Sequence, residues 1–337
     1  MPKPFEQLIS VVLPAHNEHA SLAIVIEAVR AELQRLDIAR EIIVIDDGST
    51  DGTRALMLAL CAGDPTLRYL RFSRNFGKEA AISAGLAAAR GAAAVIMDAD
   101  GQHPAALLPT FIEHWRSGAE IVYASQTRRA DPAWLRFFKN SYYHMMNAGS
   151  SVTIPPNAGD FRLLDRKAID AINALPERNR FMKGLYGWVG FRSQNVPFDA
   201  APRIAGASRY SLRRLISLGL TGLTSFSVAP LRLVSVAGML VSAVSVVYGC
   251  WLLYEHFAIG GKAPPGWSTL AVGMMFLSGL QLLCLGVIGE YLGRIFQEVK
   301  ARPLYVFAED SMASLETGRV SEPAVEARVH QAVRRQS

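Results

Sequence analysis

Two aspartates separated by one residue follow an apolar run in the middle of the chain. Residues 94–97 are Ala-Val-Ile-Met, and Asp98 and Asp100 come directly after them. In an extended strand, residues i and i+2 point the same way, so both carboxylates can face one point. Carboxylate oxygens bind Mg²⁺ or Mn²⁺, and such a cation neutralises a diphosphate leaving group. An acidic turn that caps a helix beginning after Pro104 is the alternative, and His103 is a candidate for a supporting role only.

A second pair of carboxylates, Asp46 and Asp47, ends an earlier apolar run and is followed by a turn-forming Gly-Ser. Placing like charges side by side costs free energy unless a donor or a cation compensates. A base or a ribose, which offers N–H and O–H donors, would suit this pair. A plain turn with Thr50 or Asp51 as the N-cap of the next helix is the alternative.

Both acid pairs lie at the ends of short apolar runs that alternate with helix-period segments. We predict buried strands at residues 9–13, 41–45, 67–72, 93–97 and 120–123, and a helix with one apolar face over residues 22–36. This alternation predicts a parallel sheet with helices on both faces. Ligands of such sheets bind at the carboxyl ends of the strands, which is where both acid pairs lie.

The composition indicates a membrane protein. Half of the residues are hydrophobic and 19% are charged, against about 25% in an ordinary soluble domain. The uncharged stretches 233–254 and 266–289 are long enough, as helices, to cross a hydrocarbon core of roughly 30 Å. Two buried helices of a soluble core are the alternative. Basic residues flank the outer ends of both stretches, so the positive-inside rule places both termini in the cytoplasm and the loop 255–265 outside.

The remaining segments complete the predicted organisation. Residues 1–210 form a cytoplasmic domain, and residues 211–232 form an interfacial helical segment that leads into the membrane. Residues 290–337 return to the cytoplasm, and we expect a flexible tail from Glu309 to Ser337. The first ten residues lack the apolar core of a signal peptide, so we expect the N-terminus to stay in the cytoplasm.

Several protein classes are excluded by the sequence. The net charge is +6, but no basic cluster alternates with aromatic residues, which argues against a nucleic-acid partner. The three cysteines are widely spaced and form no C-x-x-C pair, which argues against a disulfide scaffold. The G-x-G-x-x-G pattern of nicotinamide enzymes and the G-x-x-x-x-G-K pattern of phosphate-loop NTPases do not occur.

Six segments together resemble the membrane-bound glycosyltransferases of family 2 that load a sugar onto a polyprenyl phosphate, the group of dolichol-phosphate mannose synthase. They follow the family's order at residues 14–18, 46–53, 74–78, 98–104, 159–163 and 203–210. The resemblance covers roughly residues 8–302, and the two predicted spans are similar to those of the bacterial undecaprenyl-phosphate glucosyltransferases. One departure is Arg209, which replaces the usual Lys of the last segment and changes the donor geometry.

The resemblance implies a fold and an activity. The fold would be a GT-A-like, Rossmann-type mixed sheet with helices on both faces, followed by an interfacial helix and two transmembrane helices. The activity would be inverting transfer of a hexose, best assigned as glucose from UDP-glucose, to undecaprenyl phosphate at the bacterial inner membrane, with Mg²⁺ or Mn²⁺. GDP-mannose, UDP-galactose or an amino-arabinose donor, and a non-catalytic membrane scaffold, are alternatives. Paired spans of this size often associate, which leaves a homo-oligomer open.

The resemblance also implies roles for individual residues. The nucleotide would be held by Pro14, Ala15, Glu18, Asp46 and Asp47. The metal and the diphosphate would be held by Asp98, Asp100 and Gln102. The catalytic residues would be Asp160, as base or orienting group, Asp100 and Arg203. The acceptor phosphate would be bound by Arg128, Arg129, Ser208 and Arg209.

A processive polysaccharide synthase of the same fold is disfavoured. The sequence has no Gln-x-x-Arg-Trp acceptor motif, and two spans make a poor channel.

Overall fold

The chain folds into two compact units, and the second interrupts the first. The computed structural model describes residues 8–126, 158–178, 180–198, 229–254 and 266–311. The first unit comprises residues 1–133, 154–210 and 303–337, and the second comprises residues 134–153 and 211–302. The segment that follows the second unit therefore belongs to the first.

Among the described residues, the first unit is built around one eight-stranded sheet. The strands are β1 Ile9–Ala15, β2 Arg40–Asp46, β3 Leu67–Phe72, β4 Ala93–Ile96, β5 Ile121–Gln126, β6 Ala158–Asp165, β7 Ser193–Phe198 and β8 Phe307–Asp310. Their spatial order is β7-β5-β6-β4-β1-β2-β3-β8. Strands β1 to β4 are parallel, β6 is antiparallel to β4 and β5, and β8 is antiparallel to β3. The five predicted strands are confirmed, and the sheet is mixed, as the resemblance implied, rather than wholly parallel.

Helices cover both faces of this sheet. They are α1 Leu22–Arg35, α2 Thr53–Gly63, α3 Lys78–Ala88, α4 Leu108–Arg116, α5 Arg166–Ala174 and α6 Met182–Trp188. The apolar face of α1 packs with Val11 and Leu13 of β1 in the main core. Val12 points to the opposite face, where it meets α3 at Gly85. The α/β architecture with helices on both faces is therefore confirmed.

The described part of the second unit contains two long helices at the positions of the predicted spans. They are α7 Ala229–Tyr254 and α8 Trp267–Val299, so α8 runs beyond the predicted end at residue 289. Among the residues that the structure describes, one stretch, Phe276–Val299, is long and apolar enough to cross a membrane. The arrangement with two spans thus remains a prediction. Residues 211–228 and the loop 255–265 lie outside the described residues.

The segment beyond α8 differs from the sequence-based expectation at one point. A flexible tail was expected from Glu309 onward, but Glu309 and Asp310 form the last two residues of β8. Strand pairing and ion pairs to β3 hold them in place. Residues 312–337 of that tail lie outside the described part of the chain.

Candidate active site

The loops after β1 and β2 interlock at the carboxyl edge of the sheet. Pro14 and Ala15 pair in register with Ile45 and Asp46. The Asn17 amide donates to Ser49 Oγ at 2.8 Å, and Asn17 Oδ1 accepts from the Thr50 amide at 2.8 Å. Asn17 reaches this position with a φ of 57°, a conformation that asparagine tolerates better than most residues. Glu18 accepts a hydrogen bond from Ser21 Oγ at 2.8 Å as the chain enters α1.

Asp46 is fully buried and holds the loop that follows β2. Its Oδ1 accepts from the Ser49 amide at 2.7 Å, and its Oδ2 accepts from the Tyr69 hydroxyl at 2.6 Å. Arg71 Nε lies 3.5 Å from the same Oδ2, at ion-pair distance. Burial and the Asp46 carboxylate raise the pKa of Tyr69, so its hydroxyl stays a donor. Asp46 can therefore shape a nucleotide site by fixing the loop between β2 and α2.

Asp47 ties this loop to the loop after β3. Its carboxylate accepts from the Phe76 amide at 2.6 Å and the Gly77 amide at 3.0 Å. Burial raises the pKa of Asp47 although these two amides oppose the shift. Gly48 has a φ of 68°, and a Cβ there would stand 2.6 Å from the carbonyl carbon of Arg74. Only glycine fits so close an approach, so the two loops form one packed edge.

Asp98 and Asp100 lie in the turn that follows β4, which ends at Ile96. From the sequence, we expect both side chains to point the same way in an extended strand. The strand ends before Asp98, so the turn sets the direction of the two side chains instead. Asp100 Oδ1 accepts from the Gln102 amide at 3.0 Å. The Asp98 amide donates to His103 Nδ1 at 3.0 Å, which leaves the imidazole proton on Nε2, 3.9 Å from Asp98 Oδ2. Burial lowers the pKa of His103, so a neutral ring supports Asp98.

Lys78 joins two of the predicted acids. Its Nζ lies 2.6 Å from Asp98 Oδ1 and 2.7 Å from Asp160 Oδ2. Lys78 begins α3, and Asp160 lies on β6. Burial alone would lower the pKa of Lys78, but the two carboxylates raise it well above its usual value. The lysine is therefore a fixed positive charge between the two predicted functional aspartates.

Asp160 lies in a polar cluster in which some buried groups lack hydrogen-bond partners among the described residues. Burial opposes its ionisation, but the charges of Lys78 and Lys183 outweigh burial and hold the pKa of Asp160 well below its usual range. The Arg162 guanidinium lies 3.8 Å from the centroid of the Tyr186 ring. Within the described part of the chain, Asp160 Oδ1 and the Tyr186 hydroxyl are buried without a hydrogen-bond partner. Such groups suit a ligand that brings hydroxyls.

Glu79 adds a third carboxylate beside this cluster. Its Oε2 accepts from the Met182 amide at 3.0 Å and so ties α3 to the start of α6. Burial, with the nearby charge of Asp160, raises the pKa of Glu79 to about 7. Glu79 follows the predicted segment 74–78 directly, but no sequence pattern singled it out.

The donor set fits a divalent cation that is shared with a diphosphate. Asp98 and Asp100 offer hard oxygen ligands after the same strand, and the position of Lys78 shows that Asp98 attracts a cation. Among the described residues, no group of three His, Cys, Asp or Glu side chains forms a complete ligand set. Mg²⁺ needs only one or two carboxylates when waters and phosphate oxygens fill its other positions.

The structure places part of the predicted site and leaves part outside the described residues. It brings the predicted nucleotide residues to one edge of the sheet and joins Asp98 to Asp160 through Lys78. The arginines and the serine predicted for catalysis and for the acceptor phosphate lie outside the described part: Arg128, Arg129, Arg203, Ser208 and Arg209. No local sequence pattern predicts a role for Lys78, Glu79, Tyr69 or Arg71, because their partners are distant in sequence.

Comparison with known proteins gives matches over both units. A family model described as glycosyl transferase family 2 matches residues 10–172, and one described as GtrB C-terminal hairpin matches residues 229–295. The SfII prophage-derived bactoprenol glucosyl transferase of Shigella flexneri is 40% identical, over 88% of this chain and 96% of that protein. An uncharacterized glycosyltransferase of Synechocystis sp. is 41% identical, over 89% of this chain and 95% of that protein.

Solved structures also match. The glucosyl-3-phosphoglycerate synthase of Mycobacterium tuberculosis, in complex with Mn²⁺, UDP and phosphoglyceric acid, is 21% identical and aligns with a TM-score of 0.47. The match covers 65% of this chain and 76% of that chain. The match to glycosyl transferase family 2, residues 10–172, spans β1 to β6. The match to the GtrB C-terminal hairpin, residues 229–295, spans most of α7 and α8.

Proposed function

Because the chain belongs to glycosyl transferase family 2, we propose that it transfers glucose from UDP-glucose to undecaprenyl phosphate at the cytoplasmic face of the membrane. Relatives named bactoprenol glucosyl transferase, about 40% identical over most of their length, support this assignment. The observation in the structure that carries it is the contact of Lys78 with both Asp98 and Asp160 beside the interlocked loops of the sheet edge.

The donor would bind along this edge. The loops after β1 and β2, which carry Glu18, Asp46 and Asp47, would hold the uridine. Asp98, Asp100 and Gln102 would hold a divalent cation, which supplies the counter-charge that the leaving diphosphate needs. The sugar would then lie over Asp160 and Tyr186, whose unpartnered oxygens can bond its hydroxyls.

The transfer would be one in-line displacement with inversion. An oxygen of the acceptor phosphate attacks the anomeric carbon, the bond from this carbon to the diphosphate oxygen breaks, and UDP leaves with the bonding electrons. A phosphate monoester is largely a dianion at neutral pH, so no strong general base is required. Asp160, whose carboxylate is paired with Lys78 at 2.7 Å, would orient the sugar rather than take a proton.

The acceptor and the membrane would be bound by the remaining parts of the chain. Arg128, Arg129, Arg203, Ser208 and Arg209 would bind the acceptor phosphate, arginine by two parallel hydrogen bonds. The helices α7 and α8 would span the membrane and keep the site at the interface where the lipid phosphate lies.

A transfer assay with a donor panel tests the proposal. Radiolabelled UDP-glucose, UDP-galactose, GDP-mannose and an amino-arabinose donor would be offered with undecaprenyl phosphate to the detergent-purified full-length protein, with Mg²⁺, Mn²⁺ or EDTA. We expect one acid-labile lipid product, formed from UDP-glucose and lost with EDTA. An Asp100→Asn variant, folded and membrane-bound, should form no product.

Each other outcome would change a defined part of the proposal. Product formed from another donor would change the assigned sugar from glucose to the sugar of that donor. Product formed in EDTA would overturn the metal assignment. If a folded sample formed no product with any donor, the result would favour a non-catalytic membrane scaffold over an enzyme.

A further inference from the structure

The strand β8 is the edge strand of the sheet beside β3, near the loop 46–53 that is predicted to hold the nucleotide. It lies outside both matched regions, residues 10–172 and 229–295. It pairs antiparallel with β3, with Arg71 opposite Glu309 and Leu70 opposite Asp310. Tyr305 stacks on Phe72 at a centroid distance of 5.1 Å, and the Ser73 amide donates to the Val306 carbonyl at 2.9 Å. The segment is thus anchored by strand pairing and by aromatic contacts.

Glu309 of this strand contacts two arginines, Arg54 and Arg71, that act on the loop between β2 and α2, residues 46–53. On one side it binds Arg54, the second residue of α2, whose Nε lies 2.8 Å and 3.0 Å from the two carboxylate oxygens. On the other side it lies 3.4 Å from Arg71 Nη1. The Arg54 residue directly follows the loop, so Glu309 fixes the point where the loop enters α2.

Arg71 carries the second connection into the loop itself. Its Nη2 donates to the Ser49 carbonyl at 3.1 Å, and its Nε lies 3.5 Å from the buried Asp46 carboxylate. With no acid at position 309, the guanidinium would face Asp46 alone and could rotate away from Ser49. One carboxylate therefore restrains the loop at both of its ends.

We propose that Glu309 is a positioning residue for nucleotide binding, which acts through Arg54 and Arg71 on the loop 46–53. The inference rests on the proposed function, because it assumes that this loop holds the nucleotide. It extends the binding site to a segment that follows the membrane helices. Preorganising a loop raises affinity because less conformational entropy is lost when the ligand binds.

The same strand provides a matched control. Asp310 forms an ion pair with Arg68, with Nη2 2.8 Å from Oδ2. Among the described residues, the Arg68 side chain contacts Asp310 and no part of the loop 46–53. Glu309→Gln and Asp310→Asn each remove one charge from β8 and one ion pair to β3. Only the first variant releases the loop.

Titration of the detergent-purified full-length variants with UDP and with GDP tests the inference. We expect the wild-type protein to bind UDP, and Glu309→Gln to weaken UDP binding by about tenfold, as loss of a charged hydrogen bond does. Asp310→Asn should leave the Kd unchanged although both variants lower the unfolding temperature. In transfer assays Glu309→Gln should raise KM for the donor and leave KM for undecaprenyl phosphate unchanged.

The outcomes separate this inference from the proposed function. A wild-type protein that binds neither nucleotide would overturn the proposed function itself. If the wild type binds UDP and Glu309→Gln binds it equally well, the positioning role is wrong. Equal weakening by Glu309→Gln and Asp310→Asn would also overturn it, since β8 would then act only through stability.

Discussion

Lys78 occupies the position between two carboxylates that come from different strand ends. One ammonium group, shared by Asp98 and Asp160, binds an oxygen of Asp98 that a divalent cation would also bind. The lysine and a metal ion would therefore compete for the Asp98 oxygen. This competition gives a test of the metal assignment that does not depend on turnover.

We predict that Lys78→Met lowers the free energy of unfolding and increases the thermal stabilisation that Mn²⁺ provides. Removing one partner leaves two carboxylates together, at a cost of about 2 kcal/mol, below the value for a fully buried pair because the lysine is 35% exposed. Adding Mn²⁺ should raise the unfolding temperature of Lys78→Met more than that of the wild type. Lys183→Met, which removes a more distant charge of the same cluster, is the control. An equal Mn²⁺ response in all three proteins would contradict the prediction.

Glu79 predicts a pH dependence of stability. Burial raises its pKa to about 7 from an ordinary value of 4.5, so the folded state keeps the proton that the unfolded state loses first. The free energy of unfolding should fall as the pH rises from about 4.5 to 7 and then level off. Glu79→Gln keeps the acceptor for the Met182 amide but has no such proton. The stability of Glu79→Gln relative to the wild type, measured by thermal unfolding, should therefore increase between pH 5 and pH 8. If the stabilities of the two proteins changed with pH in parallel, the raised pKa of Glu79 would be contradicted.

The acids of the site could be predicted from sequence, but their partners could not. Asp46, Asp47, Asp98 and Asp100 stand out because each pair ends an apolar run. The contacts of Asp46 with Tyr69 and of Asp98 with Lys78 join residues of different strands and loops, which local spacing does not encode.

At the scale of elements, the strands that were missed are those whose pattern is interrupted by the site or by solvent. In β6, Phe161 and Leu163 belong to the core, while Asp160 and Arg162 face the polar cluster, so no continuous apolar run marks the strand. In β7 four of six residues are exposed. β8 has four residues and follows a membrane-type helix, where the composition indicates no sheet.

The packing of α3 on β1 predicts a sensitive position. A Cβ at Gly85 would clash with Val12 Cγ1, and both residues are buried in the sheet–helix interface. Gly85→Ala should lower stability by about 1–3 kcal/mol through overpacking, and should reduce transfer because α3 begins at Lys78. Val12→Ala makes room for the new methyl group. The double variant should therefore lose less than the sum of the two single losses, and strict additivity in thermal unfolding would contradict the contact.

At the scale of the whole molecule, the catalytic sheet is completed by chain that follows the second unit. β8 pairs with β3, so residues on both sides of α7 and α8 belong to one sheet. A chain that crosses a membrane between these two segments must cross it an even number of times. The pairing of β8 thus favours two spans over one independently of hydropathy, which marks only Phe276–Val299 among the described residues.

Cysteine labelling tests this topology at three positions. In a background without Cys61, Cys250 and Cys284, single cysteines would replace Ser193 in the sheet unit, Lys262 in the loop and Arg302 after α8. With two spans, a membrane-impermeant maleimide added to spheroplasts should label position 262 alone, and positions 193 and 302 only after permeabilisation. Protection of 193 and 262 with labelling of 302 would mean one span and would contradict the pairing of β8 with β3. Protection of all three would mean that neither helix crosses, since the loop and both flanks would then share the cytoplasmic side.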